Sequence, residues 1–142
     1  MNPLNAECLC GSVQFTATPE NDEAGVCHCT MCQRWTGGLS IMRSCTGLDV
    51  SKDDDLGIYV SSEWGERGFC RNCGSSLFWR AKDGSHTAIA VAAFGQHDGI
   101  RLTTEIFYDR KPDYYALAND TQKMTEAETI AFFTGAQDEN HG

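Results

Sequence analysis

The 142 residues, 41% hydrophobic and 22% charged, have the balance of a folded globular chain rather than a disordered one. Eleven Lys and Arg stand against twenty Asp and Glu, a formal charge of −9, which disfavours nonspecific nucleic-acid or anionic-membrane binding because both need a basic surface. No apolar run approaches the roughly 18 residues of a membrane helix, and residues 1–7 hold neither a basic region nor an apolar stretch, so the expectation is a cytoplasmic protein.

In chain order, the first feature is Cys8-Leu9-Cys10-Gly11. Val13 and Phe15 then alternate with Ser12, Gln14 and Thr16, the period of a strand with one buried face. Cys27-His28-Cys29-Thr30-Met31-Cys32 follows, and residues 30–35 read as a short helix carrying Cys29 and Cys32 on consecutive turns. Residues 39–42, 58–60, 77–79, 86–94 and 104–108 read as further short strands. Gly37-Gly38, Gly47, Gly57, Gly65, Gly84 and Gly99 punctuate them. Cys45 stands alone. Asp53-Asp54-Asp55 reads as a solvated turn, since it lacks the glycine and glutamate positions of a calcium loop. Cys70-Arg71-Asn72-Cys73-Gly74 precedes the strand at 77–79. Thr125-Glu126-Ala127-Glu128 has the pattern of a capping box, opening a helix through Ile130, Phe132 and Phe133 that Gly135 stops. The expected organisation is one all-β domain over residues 1–135, with short helices, one of them near the C-terminus, and a polar tail over residues 136–142.

Eight cysteines in a chain read as cytoplasmic point to metal or thiol chemistry, because disulfides are rare in a reducing compartment. The glycines after Cys10 and Cys73 can take positive φ, letting the backbone fold back and aim N–H groups at a thiolate, as in a zinc knuckle. Pairing the first group with the third gives four thiolates from two knuckles. That is a closed tetrahedral zinc site, contributing on the order of 10 kcal/mol to folding; the alternative is reduced, buried cysteines or adventitious disulfides. The middle group offers three thiolates from one short segment, and zinc with three protein ligands keeps a fourth position open. A thiol substrate suits that position. Cys45, His28, another histidine or water could fill it instead; completed by a nearby protein ligand, the group would be a second structural site. His28 lies between two ligands, so its ring is expected to point away from the metal. Cys45 reads as a small buried hydrophobe.

Cys8-Leu9-Cys10-Gly11-Ser12-Val13-Gln14-Phe15, Cys27-His28-Cys29-Thr30-Met31-Cys32-Gln33-Arg34, Gly37-Gly38, and the run from Glu66 through Phe69-Cys70-Arg71-Asn72-Cys73-Gly74 to Phe78 share their order and spacing with a known family. From about residue 4 to about residue 116 the chain resembles the glutathione-dependent formaldehyde-activating (Gfa) enzymes and their relatives, which include centromere protein V. The resemblance implies a zinc-stabilised architecture of folded β-sheets, the β-tent. It implies Cys8, Cys10, Cys70 and Cys73 as ligands of a structural zinc, and Cys27, Cys29 and Cys32 as ligands of a second, catalytic zinc. Two zinc ions per chain are therefore expected, the second more labile because its coordination sphere is incomplete. The implied reaction is reversible condensation of formaldehyde with glutathione to S-hydroxymethylglutathione, a carbon–sulfur lyase activity in which zinc makes the thiolate available at neutral pH.

The chain departs from the family pattern at three places. Gly95-Gln96-His97-Asp98-Gly99 stands where relatives often carry a Leu-Asp-Asp-Pro-type segment, Glu105-Ile106-Phe107 replaces a His-Ile-Phe motif, and Tyr114 or Tyr115 replaces a tryptophan. Basic side chains near the motifs, Arg34 and Arg67 with Arg43 and Arg71, could receive the carboxylates of glutathione in a guanidinium fork, although each taken singly also fits a plain surface charge. Trp35 and Phe69 fit either a pocket lining or core packing. The expected function is thus a Gfa-like lyase acting on a glutathione–formaldehyde or related thiol–aldehyde adduct, with a small thiol as partner and neither nucleic acid nor membrane. The alternatives are a noncatalytic zinc module that binds a partner or a small thiol, and a thiol-redox sensor or zinc buffer.

Overall fold

The computed structural model describes residues 1–134, so the expected helix stop at Gly135 and the expected tail over residues 136–142 lie outside the described residues. In chain order the first elements are β1 (Leu4–Glu7), β2 (Gln14–Pro19), β3 (Glu23–Cys27), α1 (Thr30–Thr36), β4 (Ile41–Lys52) and β5 (Leu56–Val60). They are followed by β6 (Gly65–Cys70), β7 (Ser76–Ala81), β8 (Thr87–Ala90), β9 (Arg101–Ile106), β10 (Gln122–Lys123) and α2 (Glu126–Thr134). The all-β expectation holds, with two short helices, one near the C-terminus. No helix among the described residues is long and apolar enough to cross a membrane.

The chain forms two compact units, the first comprising Met1–Ala24 and Ile41–Arg101. Its strands run in the order β1-β2-β4-β8-β7-β6-β5, each neighbouring pair antiparallel. The alternation that marked Phe15 in the sequence becomes burial of Phe15, Ala17 and Pro19 on one face of β2. Where residues 39–42 were expected as a strand, β4 extends for 12 residues. Its early residues Met42–Cys45 pair with β8 and its later ones with β2, and Gly47, at a φ of 63°, lies where the β2 register shifts. The strand expected over 86–94 stops at Ala90, where Val91–Ala93 tighten into a single 3-10 turn. Phe15, Phe78, Leu77, Ile89, Val13 and Phe94 fill the core of this unit together with Cys8, Cys45 and Cys70, and the Phe15 and Phe78 rings meet edge to face at 5.9 Å.

Three glycines read as punctuation prove to be parts of strands, Gly47 in β4 among them. Gly57 lies within β5 opposite Phe69, and Gly65 opens β6; Gly68, further along β6, faces Phe78. In each cross-strand pair the aromatic ring lies over the bare glycine, the arrangement that lets glycine survive inside a sheet. A Cβ on Gly68 would stand 2.2 Å from Phe78 Cζ, and Phe78 is fully buried. Gly68→Ala is therefore expected to lower stability by about 2–3 kcal/mol through overpacking. A Cβ at Gly38 would meet nothing within 4 Å, so Gly38→Ala should stay within about 0.5 kcal/mol of the parent. Chemical denaturation of both variants measures the difference, and equal midpoints would refute the packing argument.

The second unit comprises Gly25–Ser40 and the chain from Leu102 onward. Here β10 runs parallel to β9, pairing Gln122 with Thr104 and Lys123 with Glu105. The strand expected over 104–108 is shifted to end at Ile106, because Phe107 takes a left-handed φ of 54° and leads into a 3-10 turn at Tyr108–Arg110. The capping box at α2 forms as its sequence predicts: Thr125 N–H donates to Glu128 Oε1 at 2.8 Å and Glu128 N–H to Thr125 Oγ1 at 3.2 Å.

Candidate metal centres

In the first unit, Cys8 and Cys10 follow β1, Cys70 ends β6 and Cys73 lies in the turn before β7. Their four sulfurs lie within 4.8 Å of one another, and Cys10 Sγ is 3.7 Å from both Cys8 Sγ and Cys70 Sγ. A tetrahedral zinc with sulfur at about 2.3 Å spaces its ligands about 3.8 Å apart, so the donor set has the size and chemistry of a zinc–tetrathiolate site. Gly11 and Gly74 do take positive φ, 78° and 81°. Their own N–H groups close turns onto Cys8 O and Cys70 O, while the donors reaching sulfur are Val13 N–H to Cys8 and Cys73 N–H to Cys70, each at 3.3 Å. The Asn72 amide donates to Cys10 Sγ at 3.3 Å, and the Ser12 and Ser75 hydroxyls stand 3.0 Å from Cys10 Sγ and 3.2 Å from Cys73 Sγ. Ser12 first, and then Asn72, hold the Cys10 thiol down to about 7, and Ser75 holds Cys73 down to about 5. Burial pushes Cys8 the other way. Two of the four sulfurs are thus favoured toward the thiolate and a third is disfavoured, and a bound cation would draw all four to the deprotonated form.

In the second unit, Cys27 ends β3, Cys29 is the N-cap of α1 and Cys32 lies in its first turn. The short helix expected from the sequence is present. Cys32 N–H donates to Cys29 Sγ at 3.3 Å, and Gly37, at a φ of 79°, closes the helix by donating to Gln33 O at 2.8 Å. The three sulfurs lie within 4.8 Å of one another. Hydrogen bonding with the Cys29 and Cys32 thiols, reinforced by burial, pushes the Cys27 thiol far up. Three thiols this crowded become three thiolates only around a cation, and the donor set fits zinc. Among the described residues each group contains only cysteines, and no cysteine is in a disulfide. Cys45 belongs to neither group; it is buried in the core of the first unit, its thiol pushed up to about 11 by that burial.

His28 points away from the sulfurs, as its place between two of them predicts. Its ring is 1% exposed and both nitrogens have protein partners: Nε2 is 2.8 Å from Glu105 Oε1 and Nδ1 is 3.2 Å from the Tyr115 hydroxyl. The second Glu105 oxygen accepts from the Thr121 hydroxyl and lies 3.8 Å from Lys123 Nζ. Burial pushes the Glu105 carboxyl up, but the bonds from Thr121 and His28 outweigh it and hold the group below its ordinary value. Burial, followed by the charges of Tyr114 and Glu105, raises the Tyr115 phenol. Glu105 and Tyr115 thus meet on one imidazole, a meeting that the sequence did not show because they lie 77 and 87 positions from His28.

Of the arginines expected to receive carboxylates, Arg34 is exposed on α1, in the same unit as the three-cysteine group. Arg67 is 4% exposed in the first unit, its Nε donating to Ser61 Oγ at 3.0 Å. Arg43 is likewise buried, with Nη2 donating to Asn21 O at 2.6 Å, and exposed Arg71 donates to Asp54 O at 3.0 Å. Phe69 packs over Gly57, and Trp35 is half-buried on α1.

Residues 3–110 match the family described as glutathione-dependent formaldehyde-activating enzyme, and the chain belongs to that family. A Schizosaccharomyces pombe protein named as an uncharacterized lyase is 32% identical over 132 residues, which is 92% of this chain and 96% of the relative. A crystal structure of a Rhodobacter sphaeroides protein shares the fold, with a TM-score of 0.57 at 23% identity over 65% of this chain and 88% of that one.

Proposed function

We propose that the chain is a zinc-dependent carbon–sulfur lyase that makes and breaks the adduct of a small thiol with an aldehyde, with glutathione and formaldehyde as the pair to test first. The observation that carries this reading is the group of three thiols, Cys27, Cys29 and Cys32, which contains no fourth protein donor among the described residues. Zinc bound there supplies Lewis acidity that lowers the pKa of an incoming thiol. The chain's own contributions are separate. Cys29 orients its sulfur by capping α1, so that the donor is fixed by helix geometry as well as by the metal. Arg34, exposed one turn further along the same helix, offers a guanidinium to a carboxylate of the thiol. A noncatalytic module would instead be expected to close the centre with a fourth protein ligand.

Cys29→Ser isolates the ligand role, because serine is itself a good N-cap and preserves the helix. Exchange NMR on formaldehyde and glutathione is expected to show faster exchange with the parent protein and at least about 100-fold less of that enhancement with the variant, at unchanged melting temperature. Parent exchange no faster than the spontaneous reaction would sink the reading for this substrate pair. Loss of the folded state in the variant would favour a structural role.

A further inference from the structure

A strand at the border of a sheet carries a row of backbone N–H and C=O groups without partners, and it accepts a further strand unless charge, proline or a bulge blunts it. Among the described residues three strands hold this position. β1 reads Leu-Asn-Ala-Glu, so it ends on a carboxylate, and its outer edge is bridged at Ala6 by Phe94. β10 carries Lys123. β5 reads Leu-Gly-Ile-Tyr-Val, without charge or proline, and pairs with β6 in an unbroken register from Leu56 opposite Cys70 to Val60 opposite Glu66.

One hydrogen bond fixes where the free groups of β5 point. Arg71 N–H donates to Asp55 O at 2.7 Å, one step beyond the ladder and in the same register. Residues of an antiparallel pair alternate between turning their backbone groups toward the neighbour and away from it. Gly57 and Tyr59 therefore face β6, while Ile58 and Val60 aim N–H and C=O outward. Leu56 has only its C=O to offer, since its N–H donates to Asp53 O at 3.0 Å. Side chains alternate with the same period. Leu56 packs against the core, and Ile58 and Val60 continue its row out to 40% and 53% exposure.

We propose that the free edge of β5 is a homodimer interface, in which two copies of the chain join their β5 strands antiparallel about a two-fold axis through Ile58. Such an axis sets Leu56 of each copy opposite Val60 of the other. The two Ile58 residues exchange both backbone bonds, and each Val60 N–H meets a Leu56 C=O, so the outward groups are the ones that the axis brings together. The apolar row becomes continuous from one core to the other. The occupant is a second copy because a two-fold axis lays a strand beside itself. A charged strand would meet its own charge there, and between chains of formal charge −9 the uncharged β5 is where approach costs least. A pairing of five residues a side covers less than the about 1,200–2,000 Å² buried in stable complexes. The dimer should therefore dissociate at roughly 10–100 μM.

Sedimentation of the zinc-loaded, full-length protein tests the proposal. From about 5 μM to about 500 μM the parent should pass from monomer to dimer, and added salt should tighten the dimer by screening the net charge. A parent that stays monomeric over this range overturns the proposal, and so does a dimer that salt dissolves, because ion pairs would then hold the copies together. Ile58→Lys should weaken the dimer at least about tenfold at an unchanged melting temperature of the dilute protein. Phe132→Lys, at an exposed position on α2, should leave it intact. Amide exchange of the parent locates the contact without a substitution: Ile58 and Val60 N–H should gain protection as the concentration rises, while Leu56 N–H stays unchanged. A dimer that forms with no gain at Ile58, or that survives Ile58→Lys and fails in Phe132→Lys, overturns the proposal.

Discussion

Cys70→Ser is expected to leave the first unit without a cooperative unfolding transition and the protein short of one tightly held zinc. Cys70 is fully buried at the end of β6, belongs to the core cluster, and sets its sulfur 3.7 Å from that of Cys10, 60 positions earlier in the chain. A structural zinc contributes on the order of 10 kcal/mol to folding, as much as the whole stability of a typical domain, about 5–15 kcal/mol. A serine hydroxyl does not replace a thiolate, and it would be stranded among apolar side chains as well. Cys45→Ser is the matched control, since Cys45 is 3% exposed in the same core and lies outside both cysteine groups. It should lose about 1–3 kcal/mol for burying a hydroxyl and keep its metal. Thermal melts by circular dichroism with zinc counted by native mass spectrometry separate the two. If the two variants behaved alike in both measurements, the four-cysteine group would be ordinary core.

Glu105→Leu should lower stability by about 3–5 kcal/mol, the range for breaking a buried pair by removing one partner. Leucine fills the volume but accepts nothing, so His28 Nε2–H and the Thr121 hydroxyl both lose their acceptor. Glu105→Gln keeps one acceptor and should lose no more than about 1.5 kcal/mol. Lys123→Ala should be nearly neutral, because Lys123 is 40% exposed and stands 3.8 Å from the carboxylate. Urea midpoints for the three variants should rank in that order. A Leu variant as stable as Lys123→Ala would mean that Glu105 does not anchor the imidazole.

The parts of the fold that were legible in the sequence are those whose signal is local. Cys-x-Cys and Cys-x-x-Cys spacings pin sulfurs within a few residues of one another, and the capping box at Thr125 and Glu128 is complete within four positions. β2 was visible because its apolar residues alternate. β6 was not. Gly65-Glu66-Arg67-Gly68-Phe69-Cys70 carries two glycines and two charges, the composition of a loop, and it is held extended by the Trp79 and Phe78 rings of β7 lying over its glycines. β1, β3 and the two-residue β10 were not legible either, each being short; β3 alternates with Ala24 and Val26 buried, but over only five residues. The same limit applies at the candidate site. The cysteine groups were legible from spacing, whereas the partners of His28 depend on pairings across more than half the chain.

The two cysteine groups differ in how much polypeptide their closure spans. Cys27, Cys29 and Cys32 are gathered by one strand end and one helical turn, so bringing them together requires almost no loop closure. The tetrathiolate group joins Cys8 and Cys10 to Cys70 and Cys73 across most of the first unit. On a chain emerging from the ribosome N-terminus first, the three-thiol group is complete once Cys32 has appeared, while the four-thiol group must wait for Cys73. The spacing therefore makes the first set of thiols available to an ion about forty residues earlier in synthesis than the second.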